Sequence, residues 1–328
     1  YGIARDLAAA GLGNLKELNI PKISTTFKNP ISTVFEKPDD QKNCSAFGSR
    51  YIKNVKNCES PDWLKNKLQS IGLRPISALV DITNFVMFDL NRPLHVYDAD
   101  KIDEKIIVRS SKKGESFKAL DEKEYHLEDG MCVIADKSKV LGLGGIMGGE
   151  NTGCTTDTIN VFLESALFDP VNTAKTGRKL SILSDARYRF ERGVDPNSVH
   201  HGIDKASQLI VDICGGELSE VNLAGEIPLS DKSILLDIDR LKKRLGIDIN
   251  EKETVTILEN LGIKTSKKDN EISCEIPSWR QDINEEADLT EEIIRIKGYD
   301  SLPTLDIRSV NKVNQSILSE SQKRNISA

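Results

Sequence analysis

The sequence predicts an α+β protein in which a mixed-sheet domain is followed by a small winged-helix-like domain. Three observations carry that expectation. Residues 104–140 alternate short apolar runs with turn signals at Lys113-Gly114 and Asp129-Gly130, the pattern of brief strands. Val199, Ile203, Ala206, Ile210 and Ile213 recur at spacings of four and three, which lines one face of a helix. After a candidate boundary at Pro228 to Ser230 the chain turns to short helices around a single hairpin.

Taken in chain order, residues 1–30 read as the remnant of a preceding domain and a linker, because YGIARDLAAAGLGNLKELNI has the composition of a helix whose beginning is missing. Residues 31–228 form the first domain. The Pro-, Thr-, Lys- and Asp-rich stretch over 20–50 leads into a first strand. Ser60-Pro61-Asp62 starts a helix, with serine as N-cap, proline at the first position and an acid in the first turn, and Gly72 ends it. The apolar, β-branched run Ile76–Met87 reads as a strand followed by a helix. Asp195-Pro196 opens the long helix that Gly215-Gly216 stops.

Residues 229–305 form the second domain. Asp239–Leu245 is a short helix, and Asn250 with Glu253 makes a capping box for another that ends near Gly262. Residues 263–276 form a hairpin turning at Asp269-Asn270, and Asp282 or Asn284 opens a last helix ending at Gly298. Helix, helix, hairpin, helix is a winged-helix order. Arg240, Lys242, Lys243 and Arg244 are within reach of phosphates, but a solvated face is the simpler expectation for such a run. Residues 306–328 read as a polar helix with nothing to pack on, the start of a truncated further domain, and both ends look excised from a longer protein.

Composition bounds the function. A chain of 328 residues with 29% charged and 38% hydrophobic residues is globular and long enough for two cores. No apolar run approaches the roughly 20 residues of a membrane span, and no secretory signal opens the chain. The net charge of −6 argues against indiscriminate nucleic-acid binding. The six cysteines form no CxxC pair, so reduced cytoplasmic thiols are the simplest reading.

The chemistry gathers around residues 140–164, VLGLGGIMGGENTGCTTDTINVFLE, where Gly142, Gly144, Gly145, Gly148 and Gly149 fall within eight residues. Such a segment lets a ligand approach the backbone, although a bend or bulge uses the same residues. Its polar neighbours strengthen the functional reading: Arg74-Pro75, Asp81-Ile82-Thr83-Asn84 and Pro93-Leu94-His95 upstream, and Leu163-Glu164-Ser165-Ala166 downstream. Each has a plain alternative as a cap, a paired acid or a surface residue. There is no GxSxG elbow and no P-loop. Asp288, Glu291 and Glu292 lie within about 100° of arc on a helix, with Asp282 just upstream.

Long motifs in order, RPISALVDITNFVMFDLNRPLHVYDADKI, LGGIMGGENTGCTTDTINVFLESALFDP, SDARYRFERGVDP and PSWRQDINEEADLTEEIIRIKGYDSLP, resemble the bacterial phenylalanyl-tRNA synthetase β-subunit family over roughly residues 1–310. The resemblance implies an editing B3/B4 domain over 31–228 and a B5 domain over 229–305. It implies an aminoacyl-tRNA ligase subunit that removes tyrosine mistakenly attached to phenylalanine tRNA. A pocket built for phenylalanine rejects an added hydroxyl by only about 10²-fold, so a second site must grip that hydroxyl.

By motif position the resemblance assigns the grip to Glu164. Arg74, Thr83, Asn84 and His95 fall around the terminal adenosine and the ester, Gly145 and Gly148 line the pocket, and Ser184 and Ala186 are further pocket positions. With no clear nucleophile, oriented water is expected to attack, with His95 positioning it or acting as base and glycine-loop N–H groups stabilising the oxyanion. Gly144, where alanine is common in the family, is expected to enlarge the pocket slightly, and Ser184 stands where threonine is frequent. The resemblance further implies magnesium at Asp282, Asp288, Glu291 and Glu292, shared with an α subunit in an α2β2 complex. As solvated acids, Asp288 and Glu292 are expected to matter little for folding. ATP is used by the holoenzyme rather than bound by this chain. Phenylalanine tRNA is the nucleic-acid partner, no membrane is involved, and the location is cytoplasmic. The competing reading is a non-catalytic tRNA- or subunit-binding module.

Overall fold

A computed structural model describes residues 1–20, 23–229, 231–268, 271–304 and 319–327. In chain order the first part comprises α1 (Gly2–Ala9), β1 (Thr33–Phe35), β2 (Cys44–Lys53), α2 (Asp62–Ser70), α3 (Ala78–Leu90), β3 (His95–Asp98), β4 (Ile106–Ser110), β5 (Ser116–Lys118), β6 (Glu124–His126), β7 (Cys132–Ala135), β8 (Val140–Leu143), β9 (Met147–Gly148), β10 (Val161–Phe168), α4 (Pro170–Lys179), α5 (Asp185–Phe190), α6 (Ser198–Cys214) and β11 (Glu217–Gly225). The remainder is β12 (Ser233–Asp237), α7 (Ile238–Leu245), α8 (Glu251–Asn260), β13 (Lys264–Lys268), β14 (Glu271–Glu275), α9 (Glu286–Lys297) and α10 (Glu320–Ser327).

Two sheets organise the first part. One runs β11-β2-β10-β3, antiparallel throughout. The other runs β1-β4-β7-β8-β9, with β1 and β4 parallel and the remaining pairs antiparallel, so it is mixed as expected. Helix α6 covers one face of the first sheet, where Val199, Ile203, Ala206 and Ile210 are fully buried. A β-carbon at Gly48 would lie 2.9 Å from both Val199 and Ile203, so glycine on β2 lets the helix approach. Because side chains alternate along a strand, Glu164 on β10 faces away from that helix.

The expected strand in Ile76–Met87 is absent. Ser77 is an extended N-cap, and α3 begins at Ala78. Asp81 causes this locally: its carboxylate accepts from the Ile76 N–H at 2.9 Å and from the Ser60 hydroxyl at 2.6 Å. Burial of Ala78, Leu79, Ile82 and Val86 on one face outweighs the β-branched composition. Ser60 is therefore not the cap of α2; the N-cap is Pro61, with Gly72 at φ +83° just past the end. The stretch over 20–50 holds β1 and the start of β2, not only a linker.

The second part is a three-stranded antiparallel sheet, β12-β14-β13, with α7, α8 and α9 against it. Strand β12 is not predicted from the sequence, since its apolar run is short and it gains its ladder only from the distant β14. The hairpin turn expected at Asp269-Asn270 lies outside the described residues, as does most of the tail, of which α10 is described. Asn250 caps α8 by accepting from Glu253 N at 2.8 Å, but the Glu253 carboxylate pairs with Lys297 instead of completing the box. Helix α9 starts at neither Asp282 nor Asn284: Glu285 is its N-cap, in a reciprocal box with Asp288. Helix α1 contributes Ala9 to this second core. The two parts meet where Gln281 Nε2 donates to Val194 O at 2.8 Å and Asn197 Nδ2 to Ser278 Oγ at 3.1 Å.

Candidate functional site

The register between β10 and β3 sets Glu164 directly opposite His95. Tyr97, two residues further along β3, points to the same face. Its hydroxyl donates to Glu164 Oε2 at 2.5 Å, and its ring meets that of His95 edge-on with centroids 4.4 Å apart. Glu164 is 7% exposed and Tyr97 2%. Burial pushes the Glu164 carboxyl up to about 7, against the lowering effect of the Tyr97 hydrogen bond. Burial likewise drives the His95 imidazole down to about 4, so it is neutral at physiological pH. The His95 Nε2 is sealed and has no hydrogen-bond partner among the described residues. A buried polar atom left so costs about 1–3 kcal/mol.

The glycines shape this face. A β-carbon at Gly148 would fall 2.3 Å from His95 Cε1 and 2.6 Å from Nε2, so the imidazole occupies the space glycine leaves. Gly145, at φ +71°, would meet Phe168 at 2.8 Å and Phe190 at 3.0 Å. Gly144 does not open the pocket: a β-carbon there would lie 2.7 Å from Phe168 and 2.9 Å from Cys132 Sγ, so the space is already filled. Several loop N–H groups are committed to the fold, with Gly144 N donating to Cys132 O, Ile146 N to Leu143 O and Gly149 N to Leu141 O.

The other expected residues lie apart from this cluster in their bonding. Thr83 is buried on α3 with its hydroxyl turned back to Val80 O at 2.8 Å, and Asn84 is half-buried beside it. Arg74 is exposed before α3. Ser184 caps α5, accepting from Arg187 N at 3.1 Å while donating to Ile146 O at 2.7 Å, which ties that helix to the glycine loop. Ala186 packs at the edge of the main core. Sequence reasoning missed Tyr97, although the alternation in His95-Val96-Tyr97 places it on the face of His95. It also missed Arg92, fully buried and donating to Ser198 Oγ at 2.8 Å, Ala166 O at 2.7 Å and Asp195 O at 2.5 Å.

The acidic set is engaged elsewhere. Arg280 holds Asp282 at 2.7 Å and Glu292 at 2.7 Å, and Arg295 reaches Glu292 at 2.6 Å. Burial would raise the Glu292 carboxyl, but the two guanidinium groups hold it below the usual carboxylate range. Asp288 accepts from Asn284 N at 2.6 Å and Glu285 N at 2.9 Å, while Glu291 is exposed. Among the described residues no group of three or more His, Cys, Asp or Glu side chains is placed to hold a metal ion. The arrangement therefore does not fit magnesium as it stands, because a guanidinium sits between two of the four acids. The expectation that Glu292 is a solvated acid is also corrected, since it is only 7% exposed.

All six cysteines are unbridged. Among the described residues no helix is long and apolar enough to cross a membrane.

A family model described as the B3/4 domain matches residues 43–215, and one described as the tRNA synthetase B5 domain matches residues 234–299. Fold and matches together define a B3/4 domain joined to a B5 domain. Relatives named phenylalanine–tRNA ligase β subunit include that of Paramagnetospirillum magneticum, 51% identical over 303 residues, covering 92% of this chain and 38% of the relative. That of Mesorhizobium japonicum is 45% identical over 324 residues, covering 99% of this chain and 40% of the relative. That of Ruegeria pomeroyi is 46% identical, covering 98% and 40%. The chain belongs to the phenylalanine–tRNA ligase β-subunit family. It spans about two fifths of the length of the curated relatives it matches.

Proposed function

We propose that the first domain hydrolyses tyrosine from mischarged phenylalanine tRNA. The observation that carries this reading is the buried Glu164 carboxylate, opposite His95 on the neighbouring strand, with Oε2 held by Tyr97 and no hydrogen bond to Oε1 from the described residues. A tyrosyl hydroxyl donating to Oε1 gains a hydrogen bond to a charged group, worth about 1.5–3 kcal/mol, which a phenylalanyl ring does not make. Neutral His95 positions the attacking water in this reading, which requires its sealed Nε2 to become accessible when substrate binds. Water attacks the ester carbonyl carbon, the carbon–oxygen bond to the terminal ribose breaks, the ribose oxygen takes a proton, and tyrosine leaves. Arg74, Thr83 and Asn84 contact the terminal adenosine and the ester in this reading, with Ser184, tied to the glycine loop at Ile146 O, and Ala186 as further pocket residues.

The whole protein works with a phenylalanyl-tRNA synthetase α subunit, which supplies the ATP-dependent aminoacylation, in the cytoplasm and on phenylalanine tRNA. A magnesium ion shared with that subunit through Asp282, Asp288, Glu291 and Glu292 would require Arg280 to release two of them. Release of tyrosine from tyrosylated phenylalanine tRNA by the full-length subunit with its partner tests the editing reading. Binding of the tRNA without release of tyrosine would leave the non-catalytic module as the better description.

A further inference from the structure

The Tyr97–Glu164 contact divides the carboxylate into two ends with different surroundings. Oε2 accepts the Tyr97 hydroxyl at 2.5 Å, whereas Oε1 accepts no hydrogen bond from the described residues and is not among the sealed, unpartnered atoms. The Tyr97 ring cannot easily swing away. It is 2% exposed, packed edge-on against His95 at 4.4 Å and tilted against Phe162 at 6.1 Å. A phenylalanine at this position would pack in the same way, so the hydroxyl is the part whose role is not packing.

We propose that Tyr97 is a positioning residue for amino-acid specificity: its hydroxyl occupies Glu164 Oε2 and so presents Oε1 as the acceptor for a substrate hydroxyl. The inference rests on the editing reading above. It adds that discrimination belongs to the pair and not to the carboxylate alone.

The charge state of the pair follows from its neighbours. His95 and Tyr97 from β3 lie against Glu164, and Cys44 from β2 and Cys132 from β7 are close enough for its charge to act on them. Burial keeps the imidazole neutral and pushes both thiols upward, so near neutral pH the carboxyl is the group in this cluster that changes charge. The Tyr97 hydrogen bond favours the ionised form of Glu164. Removing it raises the pH at which the acceptor becomes available.

The test is hydrolysis of phenylalanine tRNA charged with tyrosine or with phenylalanine by the full-length subunit with its partner, measured across about pH 6 to 8, the interval that brackets the carboxyl. For Tyr97→Phe the tyrosyl-over-phenylalanyl ratio at pH 7 is expected to fall roughly 10-fold, because a carboxyl that has lost one charged hydrogen bond keeps its proton to a pH about one to two units higher. The midpoint of that ratio's pH profile should move upward, while phenylalanyl-ester hydrolysis stays close to that of the unmodified protein. Incorporating 3-fluorotyrosine at position 97 keeps the shape and strengthens the donor, so it should move the midpoint downward without disturbing the fold. An unchanged ratio and midpoint in both variants overturns the inference, as does an equal slowing of both esters, which a purely structural role predicts. If the unmodified protein releases tyrosine normally, such a result defeats the role of Tyr97 alone. If the unmodified protein hydrolyses neither ester, the editing reading itself falls, and this inference with it.

Discussion

Gly148 and His95 share one space: a β-carbon on the glycine would overlap the imidazole, 2.3 Å from Cε1. Gly148→Ala must therefore displace His95 or bend β9. Overpacking of this kind costs about 1–3 kcal/mol. A displaced positioning group slows hydrolysis of tyrosyl and phenylalanyl esters alike, on the order of 10²-fold. Side-by-side deacylation checks this, and a selective loss on one ester would count against it.

Glu164→Ala should remove discrimination. The alanine variant loses the acceptor, so the tyrosyl-over-phenylalanyl ratio is expected to drop by about 10- to 100-fold. Equal slowing of both esters by a folded variant would show that Glu164 does not read the hydroxyl.

The pH dependence of stability reports on the same residue. The folded Glu164 carboxyl is raised from 4.5 to about 7, so between these values the native state holds a proton that the unfolded chain has released. Its contribution to stability therefore declines as pH rises through that window and is level above it. His95, lowered from 6.5 to about 4, contributes the opposite slope, since there the unfolded chain holds the extra proton. Glu164→Gln removes the first slope and leaves the second. The variant should gain on the unmodified protein by up to about 2 kcal/mol between pH 5 and pH 7 in urea denaturation. A difference independent of pH would contradict the raised carboxyl.

Glu292→Ala should destabilise the second domain, because it leaves Arg280 and Arg295 without the carboxylate they share. Breaking a well-buried ion pair from one side costs about 3–5 kcal/mol, and the partial exposure of Arg295 brings the expectation nearer to 2 kcal/mol. Glu291→Ala, at an exposed position, should change stability by less than about 0.5 kcal/mol. Denaturant midpoints of the two variants distinguish them, and equal midpoints would refute the assignment.

Arg92→Met should be among the most damaging single changes. The guanidinium is fully buried and satisfies Ala166 O on β10 and Asp195 O before α6 at once. Without it Ala166 O loses this donor, at about 1–3 kcal/mol, while Asp195 O keeps the Ser198 N–H and hydroxyl, and the space of a fully buried guanidinium must be refilled. Thermal denaturation measures the loss, and a melting temperature within about 2 °C of the unmodified protein would refute it.

Turn and helix-stop signals hold where glycine geometry is the cause, whereas helix starts shift by one to three residues, as at Pro61 and Glu285. Gly114 and Gly130 adopt the positive φ their turns require, Gly72, Gly215 and Gly298 lie where α2, α6 and α9 stop, and the spacing of Val199, Ile203, Ala206 and Ile210 marks a buried helical face. Errors arose where distant partners decide. Residues 76–77 are not a strand because Asp81 binds back to Ile76 N and Ser60, and β12 exists because β14 supplies its ladder.

By itself, the sequence determined the α+β class, the order of its two domains, the family, and the identity of Glu164, His95 and Gly148 as residues worth placing together. Those properties are written in residue type and spacing. Only the tertiary structure decided that Glu164 faces His95 across β10 and β3, that Tyr97 takes one of its oxygens, and that Arg280 draws Asp282 and Glu292 together. Strand register and ion pairing join residues that are far apart in the chain. They are settled by which side chains can be buried and satisfied at once, a condition no stretch of sequence meets alone.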